Sequence, residues 1–457
     1  MTLTEKTLAR AAGKARVAAG DNIWVKADLL MTHDVCGPGA IGVFKREFGP
    51  NARVWDRDKV VIIPDHYIFT ADAKSNRNVD LLRDFVKEQG LTYFYDVMDE
   101  PNGHWVFDPA KGPFLRQHGL RYAGVCHTAL PQKGHTRPGE VLFGTDSHTC
   151  MAGAFNEFAT GIGNTDAAFI LGTGKLLLKV PETLHFRLEG KLRPGVLAKD
   201  IILHCIGQIG LDGATYRALQ FDGPGAGGLS LDDRMTIANM AIEAGAKNAI
   251  FEFDAQTQAF VDHRCKLNGT KTAYAPVTRD RKEKFLSETV LDLSRLEPTV
   301  ACHPDPAQRK LARELAHIKL DRAYIGSCTG GKTSDFLDFA RILRAKHVAI
   351  DTFAVPATPE IVHDLQTARW GDQTVWEILV AAGVQITENA GCAACLGGPA
   401  DTFGRLNAPL KCISATNRNF PGRMGHKDSQ VFLASPATVA ASALTGRITD
   451  PRDLLPD

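Results

Sequence analysis

The sequence lacks three features that would each assign the protein to a special class. Its 457 residues contain no apolar run of about 18 residues or more, so no membrane-spanning helix is predicted. Lys and Arg total 53 against 52 Asp and Glu, so the chain lacks the basic excess of nucleic-acid-binding domains. The ten cysteines are scattered, unlike the dense cysteines of a disulfide scaffold. We therefore expect a cytoplasmic globular protein whose important cysteines bind metal or take part in catalysis.

The first 16 residues also lack the continuous apolar core of a secretory signal. Their Lys and Arg residues alternate with Leu and Ala, which gives a mild likeness to an organelle transit peptide. Glu5 and the lack of serine weaken that likeness. An amphipathic first helix on the surface, capped by Thr2 or Thr4, is the better interpretation.

Length and pattern favour an α/β protein of about three domains, at roughly 150 residues per domain. Short apolar runs alternate with helical stretches along the whole chain, as in α/β folds. Changes in composition predict domains over residues 1–182, 183–290 and 291–457. Helices are predicted over residues 166–180, 230–243 and 306–315.

Three predicted strands are each followed at once by residues able to do acid–base or metal chemistry. These are the pair Asp65 and His66 after strand 59–64, the group Asp146, Ser147 and His148 after strand 141–143, and Cys328 after strand 323–325. Ligands of parallel α/β sheets bind outside the carboxyl ends of the strands. The recurrence therefore predicts one shared site.

The histidines of these loops are candidates for proton transfer. A carboxylate beside an imidazole fixes its tautomer and keeps it protonated near neutral pH, as Asp65 can do for His66. His127, which ends the sequence Gly-Val-Cys-His, is a further candidate. A single histidine is more often structural, but three in similar loops favour a common function.

Cys392 and Cys395 form a C-x-x-C pair, and Cys328 lies 64 residues before it. The pair alone fits a redox site, half a zinc site or an iron–sulfur site. No second C-x-x-C exists in the sequence, which disfavours a four-cysteine zinc ribbon. Three thiolates can hold three corners of a [4Fe–4S] cube and leave its fourth iron open as a Lewis acid. Spacing alone leaves buried, unconnected cysteines as an open alternative.

The segment 417–423, Asn-Arg-Asn-Phe-Pro-Gly-Arg, places Arg418 and Arg423 in a turn-rich loop. Each guanidinium can bind a carboxylate through two parallel hydrogen bonds. A surface loop with scattered charge is the alternative. The short separation and the Pro-Gly turn favour convergence of both side chains on one anion.

Together these segments resemble the aconitase superfamily. The motifs that carry the resemblance occur in the family's order, and they are Gly-Thr-Asp-Ser-His-Thr at 144–149, Ile-Gly-Ser-Cys-Thr at 325–329, Gly-Cys-Ala-Ala-Cys at 391–395 and the arginine loop at 417–423. Matches at 32–34, 63–66 and 234–245 extend the likeness over nearly the whole chain. Within the superfamily, the length of the chain and the residues of its motifs are most similar to those of the large subunits of isopropylmalate dehydratases and related methylmalate-type dehydratases.

The resemblance implies three α/β/α domains around a central cleft, without the swivelling fourth domain of single-chain aconitases, and a [4Fe–4S] cluster. It also implies a role for each residue that matches a functional position of the family. These residues are Cys328, Cys392 and Cys395 as cluster ligands, Asp65, His66, His127, Asp146 and His148 as catalytic residues, His33, Ser147, Arg418 and Arg423 as substrate contacts, and Asn417 beside the cluster.

The activity implied by the resemblance is reversible dehydration and isomerisation of a small hydroxy dicarboxylate, most closely isopropylmalate in leucine biosynthesis. Homoaconitase, methylmalate dehydratase and dimethylmalate dehydratase are alternatives, as is a cluster-free binding or regulatory protein on the same scaffold. In two-chain members a small subunit carries the swivelling domain and the catalytic base. Only about thirty residues follow Arg423, so we expect such a partner and an incomplete site without it. Neither nucleic acid nor membrane is an expected partner.

Two residues depart from the family pattern. Gly330 follows Ser-Cys-Thr where the family has Asn, and Gln220 stands where we expect Glu. An amide cannot act as a carboxylate base or orient His127 by charge. The second departure therefore predicts the loss of one polar contact in the site.

Overall fold

The computed structural model describes residues 1–97, 122–280 and 282–455. Its strands are numbered β1 to β20 in chain order. They are Asn22–Lys26, Leu29–Thr32, Val60–Ile62, Tyr93–Phe94, Val141–Gly144, Phe158–Gly161, Lys175–Lys179, Thr183–Glu189, Ala218–Asp222, Asn248–Phe251, Ser287–Asp292, Thr299–Ala301, Arg309–Leu311, Arg322–Gly326, Asp351–Val355, Arg369–Trp370, Gln373–Thr374, Gln385–Ile386, Lys411–Ser414 and Gln430–Leu433.

Helices connect and cover these strands. The α-helices are Leu3–Ala11, Gly37–Phe48, Ala73–Gln89, Cys126–Gln132, Asn164–Thr173, Ala198–Ile209, Pro224–Gly227, Leu231–Asn239, Ala255–Asn268, Ser327–Gly330, Thr333–Leu343, Pro359–Thr367, Val375–Ala381, Ala393–Leu396 and Pro436–Thr445. Short 3₁₀ helices are Ser147–Phe155, Met240–Ala244, Leu293–Arg295, Ala312–Leu315 and Pro451–Asp453. None of the helices within the described ranges is long and apolar enough to cross a bilayer.

The N-terminal sheet has five parallel strands in the order β4-β3-β2-β5-β6. Its central strands are buried on both faces, as expected where helices cover a parallel sheet. Successive side chains point to opposite faces. Leu30 and Phe143 accordingly pack into one apolar cluster, and Met31 and Leu142 pack into another.

Two further sheets follow along the chain. The middle sheet has four parallel strands in the order β10-β9-β8-β11. The C-terminal sheet has seven strands in the order β13-β12-β20-β19-β14-β15-β18, parallel except where β12 pairs with β13 and β20. The three sheets confirm the predicted α/β class. A division into three domains with boundaries near residues 182 and 290 remains our proposal.

The first helix has the predicted cap. Thr2 precedes helix Leu3–Ala11, and its hydroxyl accepts the amide of Glu5 at 3.2 Å, while Glu5 accepts the amide of Thr2 at 2.9 Å. This reciprocal capping box satisfies two amides at the start of the helix. The helix is anchored to the middle sheet, because Gln220 of β9 accepts the amide of Leu3 at 3.0 Å.

Two of the predicted helices are wrong in part. The helix predicted over residues 166–180 ends at Thr173, because Gly174 adopts a left-handed conformation at φ 68°. Residues Lys175–Lys179 then form β7, which pairs antiparallel with β1 and alternates exposed and buried side chains. The helix predicted over residues 306–315 is instead β13 followed by a 3₁₀ turn.

Candidate active site

The loops that follow β2, β3 and β5 form one edge of the N-terminal sheet. These strands are neighbours in the order β3-β2-β5, and all run in the same direction. Their carboxyl ends therefore carry His33, Asp65, His66, Asp146 and His148 to a common place, as the sequence predicted. His127 joins them from helix Cys126–Gln132.

Asp65 and His66 form a buried ion pair. His66 Nδ1 donates to Asp65 Oδ1 at 2.6 Å, and the second oxygen of Asp65 accepts the Cys126 amide at 2.7 Å. Burial alone lowers the pKa of His66, but the charge of Asp65 and its hydrogen bond outweigh burial and raise it to about 10. His66 is therefore an imidazolium at neutral pH, with Nε2 as its free proton-bearing atom.

Asp34 holds the loop that carries this pair. Its Oδ1 accepts the amides of Asp65 at 2.8 Å and His66 at 3.1 Å, and its Oδ2 accepts the amide of Tyr67 at 2.6 Å. Three charge-assisted bonds from consecutive amides fix the backbone after β3. This role of Asp34 was not predicted, although the residue falls in the matched segment 32–34.

Asp146 is the centre of the histidine cluster. Its Oδ1 accepts His127 Nε2 at 2.8 Å and the backbone amide of His148 at 2.7 Å. Its Oδ2 lies 3.7 Å from His66 Nε2 and 4.0 Å from His33 Nε2. Burial raises the pKa of Asp146, but the neighbouring His127 and His148 lower it well below its usual range. The carboxylate therefore stays ionised and ties the loops together.

The three predicted cysteines converge in the C-terminal half of the chain. Cys328 follows β14, Cys392 precedes helix Ala393–Leu396, and Cys395 lies within that helix. All three are buried. The thiol of Cys392 interacts with both other thiols. Its bond to each of them lowers the pKa of Cys328 to about 5 and the pKa of Cys395 well below its usual range. Two of the three sulfurs thus favour the thiolate, the form that binds metal.

Amide and guanidinium donors surround these sulfurs. Asn239 Nδ2 lies 3.1 Å and Asn417 Nδ2 3.6 Å from the sulfur of Cys328, while Arg423 donates to the sulfur of Cys395 at 3.5 Å. Donors of this kind stabilise negative charge on sulfur. Asn417 therefore lies where the sequence placed it. Asn239 was missed, although it falls in the matched segment 234–245.

Glu243 links the histidine cluster to the arginine loop. One of its oxygens accepts His148 Nε2 at 2.9 Å, and both lie 3.0 Å from Arg418 Nε. Arg418 also donates to the Ser147 hydroxyl at 2.9 Å. Burial and Arg418 lower the pKa of His148, but its bonds to Asp146 and Glu243 raise it to about 9. Glu243 was also missed from the sequence.

The backbone joins the two halves of the site directly. The amide of Cys392 donates to the carbonyl of Asp65 at 3.1 Å. Next to it, Asp401 accepts the hydroxyl of Thr70 at 2.6 Å and the amide of Ala71 at 2.8 Å. The loop with the acid pair and the loop with the C-x-x-C pair are therefore fixed to each other.

Two buried donors of the site lack a partner among the described residues. These are Nε2 of His33 and Nε of Arg423, and neither has an acceptor within hydrogen-bond distance. An unpaired buried polar group costs free energy, so such atoms commonly receive a ligand. A bound oxygen atom would satisfy each of them.

The structure resolves the two departures from the family pattern. Gln220 lies on β9, where its amide contacts Leu3 and Glu283, and it is Asp146 that holds His127. The prediction that Gln220 removes a polar contact from the site is therefore wrong. At Gly330, a Cβ atom would lie 2.5 Å from the Cβ and 2.6 Å from the carbonyl oxygen of Ala415. Here the local packing requires glycine.

Replacing Gly330 by Asn should destabilise the fold. The clash is with backbone and a short side chain that cannot turn away, so we expect a loss of about 1–3 kcal/mol in the free energy of unfolding. Urea denaturation followed by circular dichroism measures it. Gly163→Asn is the control, because a Cβ there meets nothing within 4 Å. Equal stability of the two variants would contradict the packing explanation.

The chain is similar to a family profile and to full-length relatives from other organisms. A profile of the "Aconitase family (aconitate hydratase)" matches residues 5–312 and 307–446. The chloroplastic 3-isopropylmalate dehydratase large subunit of Arabidopsis thaliana is 53% identical over 100% of this chain and 87% of its own length. The 3-isopropylmalate dehydratase large subunit 1 of Methanopyrus kandleri is 41% identical over 99% of both chains.

A third relative is named for a different substrate. The 2,3-dimethylmalate dehydratase large subunit of Eubacterium barkeri is 40% identical over 99% of this chain and 100% of its own. Among solved structures, aconitase X of Thermococcus kodakaraensis in its holo form covers 86% of this chain and 84% of its own, with 11% identity and a TM-score of 0.45. That structural likeness is too weak to bear on the site. The profile match and the full-length relatives show that the chain belongs to the aconitase family.

Proposed function

We propose that this chain is the large subunit of a hydro-lyase that interconverts 3-isopropylmalate and 2-isopropylmalate in leucine biosynthesis. The observation that carries the proposal is the arrangement of three buried cysteine sulfurs in the same site as the protonated His66. That arrangement combines a metal-binding set with a proton donor. The names of the full-length relatives supply the substrate class.

Cys328, Cys392 and Cys395 fit a [4Fe–4S] cluster. They are buried, two of them favour the thiolate, and Asn239, Asn417 and Arg423 direct donors at the sulfurs. Three ligands would leave one iron open. When bound, the cluster supplies a Lewis acid that polarises the substrate hydroxyl.

His66 is the proton donor of the proposed reaction. Its Nδ1 is held by Asp65, which leaves the Nε2 proton directed toward the Asp146 side of the site. Donation from Nε2 converts the departing hydroxide into water, and the reverse step returns the proton to Nε2 during rehydration. Asp65 stays ionised because the charge of His66 outweighs burial and lowers its pKa.

The remaining histidines position the reacting groups. His127 and His148 are held by Asp146, and the ring of His33 lies against that of His66 at a tilt of 35°, with ring centroids 4.6 Å apart. Nε2 of His33 has no hydrogen-bond partner among the described residues, so in this proposal it binds an oxygen of the substrate. Fixed donors of this kind reduce the entropy lost on reaching the transition state.

Arg418, Arg423 and Ser147 bind the substrate carboxylates in this proposal. Glu243 fixes Arg418 through Nε, and the Arg418 guanidinium is partly exposed. Arg423 is buried, and its Nε lacks an acceptor within the described part of the chain. A carboxylate would satisfy that Nε and pair with both positive charges.

The base that removes the carbon-bound proton comes from a small subunit in this proposal. The relatives are named large subunits, which implies that each works with a second chain. Such a chain would close over the site, so its residues would also contact the side chain of the substrate. Selectivity for the hydroxy acid would then depend on both chains.

The test combines the iron-loaded chain with its genomic small subunit and follows absorbance of the unsaturated intermediate. We expect turnover of 3-isopropylmalate by the mixture and none by either chain alone. Because one relative is named for 2,3-dimethylmalate, that acid is the second substrate to assay. A higher kcat/KM for dimethylmalate would replace the substrate assignment. Absence of iron uptake would overturn the hydro-lyase proposal and favour a binding or regulatory protein.

Replacing Glu243 by Gln should lower kcat/KM of the assembled enzyme by about 10–100-fold, the usual cost of removing an outer partner of a metal-site residue. The amide cannot pair with Arg418 by charge, and it removes an interaction that raises the pKa of His148. Steady-state kinetics measures the change. Glu140→Gln is a matched control, since Glu140 is a buried partner of Arg137 outside the site. Unchanged kcat/KM in the Glu243 variant would remove its positioning role.

A further inference from the structure

Lys199 is a buried lysine that forms no ion pair with the residues that the structure describes. It lies in the first turn of helix Ala198–Ile209, and its side chain is 1% exposed. Its ammonium donates to the carbonyl of Thr416. No carboxylate in residues 1–97, 122–280 or 282–455 forms an ion pair with it within 4.0 Å. Burying an ammonium without a counter-charge is costly, so either a nearby negative charge compensates it or the amine loses its proton.

Asp200, the acidic residue next in sequence, is not the counter-ion of Lys199. Asp200 directs its carboxylate to the amides of Leu197 and Thr299, each at 2.8 Å. Burial raises the pKa of Asp200 to about 7, which reduces its charge at neutral pH. Asp335 forms an ion pair with the nearby Lys332 at 2.8 Å, so the charge of Asp335 is already paired.

Cys395 is a further negative group whose charge acts on Lys199. Burial lowers the pKa of Lys199 to about 7, while the charges of Asp335 and Cys395 oppose that lowering. The carbonyl that Lys199 binds belongs to Thr416, the residue before Asn417. Asn417 in turn contacts both Cys328 and Cys395. Lys199 thus lies directly behind the loop that supports the sulfurs.

We propose that Lys199 is a positioning residue whose positive charge is the built-in counter-charge of the cluster held by Cys328, Cys392 and Cys395. The inference rests on the cluster assigned in the proposed function. Three thiolates carry three negative charges, and the common [4Fe–4S]²⁺ core carries two positive charges. One negative charge therefore remains. A fixed cation behind them raises the reduction potential and makes oxidative loss of iron harder.

Lys199→Gln is the test, because it removes the charge and keeps a hydrogen-bond donor. In the reconstituted full chain, we expect a more negative midpoint potential by redox titration and several-fold faster iron loss in air. In the iron-free chain, we expect a melting temperature no lower than that of the unchanged protein, since a buried charge without a counter-ion has been removed. Lys199→Met tests the same charge with an apolar side chain of similar length.

Lys332→Gln is the matched control, as it also alters a buried lysine but leaves Asp335 unpaired. That variant should lose melting temperature with and without iron. If Lys199→Gln behaves in the same way, or its midpoint potential does not move, Lys199 is merely structural and the inference is overturned. Failure of the unchanged chain to bind iron would instead overturn the proposed function, so the two failures are distinguishable.

Discussion

Cys328→Ser should give a folded chain that assembles no stable four-iron cluster and has lost its activity. A serine hydroxyl stays protonated where the pKa of the Cys328 thiol is lowered to about 5, so one of three ligands is removed. Lewis-acid polarisation stabilises a transition state by several kcal/mol, which corresponds to at least about 100-fold in kcat. Iron content and visible absorbance after anaerobic reconstitution measure the first effect, and turnover with the small subunit measures the second.

The control for that experiment is a buried cysteine outside the trio. Cys205 is 1% exposed, lies on helix Ala198–Ile209, and has its pKa raised to about 12 by burial, so it is an inert thiol. Cys205→Ser should keep full iron content with only a modest loss of stability. Full iron content in Cys328→Ser would reject the ligand assignment, whereas low iron in both variants would point to general damage to the fold.

The part of the site that could be predicted from sequence is the part built on strand ends. Asp65, Asp146 and Cys328 each follow a short apolar run. The parallel strands of the N-terminal sheet bring the loops of Asp65 and Asp146 to one edge, whereas Cys328 follows β14 of the C-terminal sheet. The order β3-β2-β5 makes two of these loops close neighbours. A local pattern therefore fixed a contact between residues far apart in sequence.

The residues that could not be predicted act through long-range contacts from a helical segment. Asn239 and Glu243 lie within residues 231–244, which read as an ordinary helix. Glu243 meets His148 and Arg418, which are 95 and 175 residues away along the chain. Helical periodicity shows which face is buried but not what that face touches. The contacts of Asn239 and Glu243 become visible only when residues 231–244 are packed against the loops of the other two sheets.

The wrong helix boundary at residues 166–180 has a similar origin. Lys175–Lys179 has apolar residues that fit a helix as well as a strand over so short a length. Pairing with β1, about 150 residues earlier, decides between them. The one sign of the helix end in the sequence was the glycine at position 174. In the structure Gly174 ends the helix with φ 68°.

Asp65→Asn should lower kcat by about 10²–10⁴-fold near neutral pH, the range contributed by a general acid. The pKa of His66 is about 10 because the charge of Asp65 outweighs burial. The protonated donor is therefore present through neutral pH and is lost only as the pH rises through about 10. Without the Asp65 carboxylate, only the charges of Asp146 and Asp34 oppose burial, so the pKa of His66 falls toward its ordinary value of about 6.5. The asparagine amide then donates to Nδ1 and favours a neutral imidazole.

The pH profile separates this account from simple loss of structure. The alkaline decline of kcat should move by several pH units to lower pH in Asp65→Asn, and activity should partly recover as the solution is acidified. Asp222→Asn is the matched control, because Asp222 also holds a buried histidine, His185, at 2.7 Å but lies outside the site. That variant should lose stability without moving the decline. A lower rate in Asp65→Asn with an unshifted profile would mean that His66 is not the proton donor.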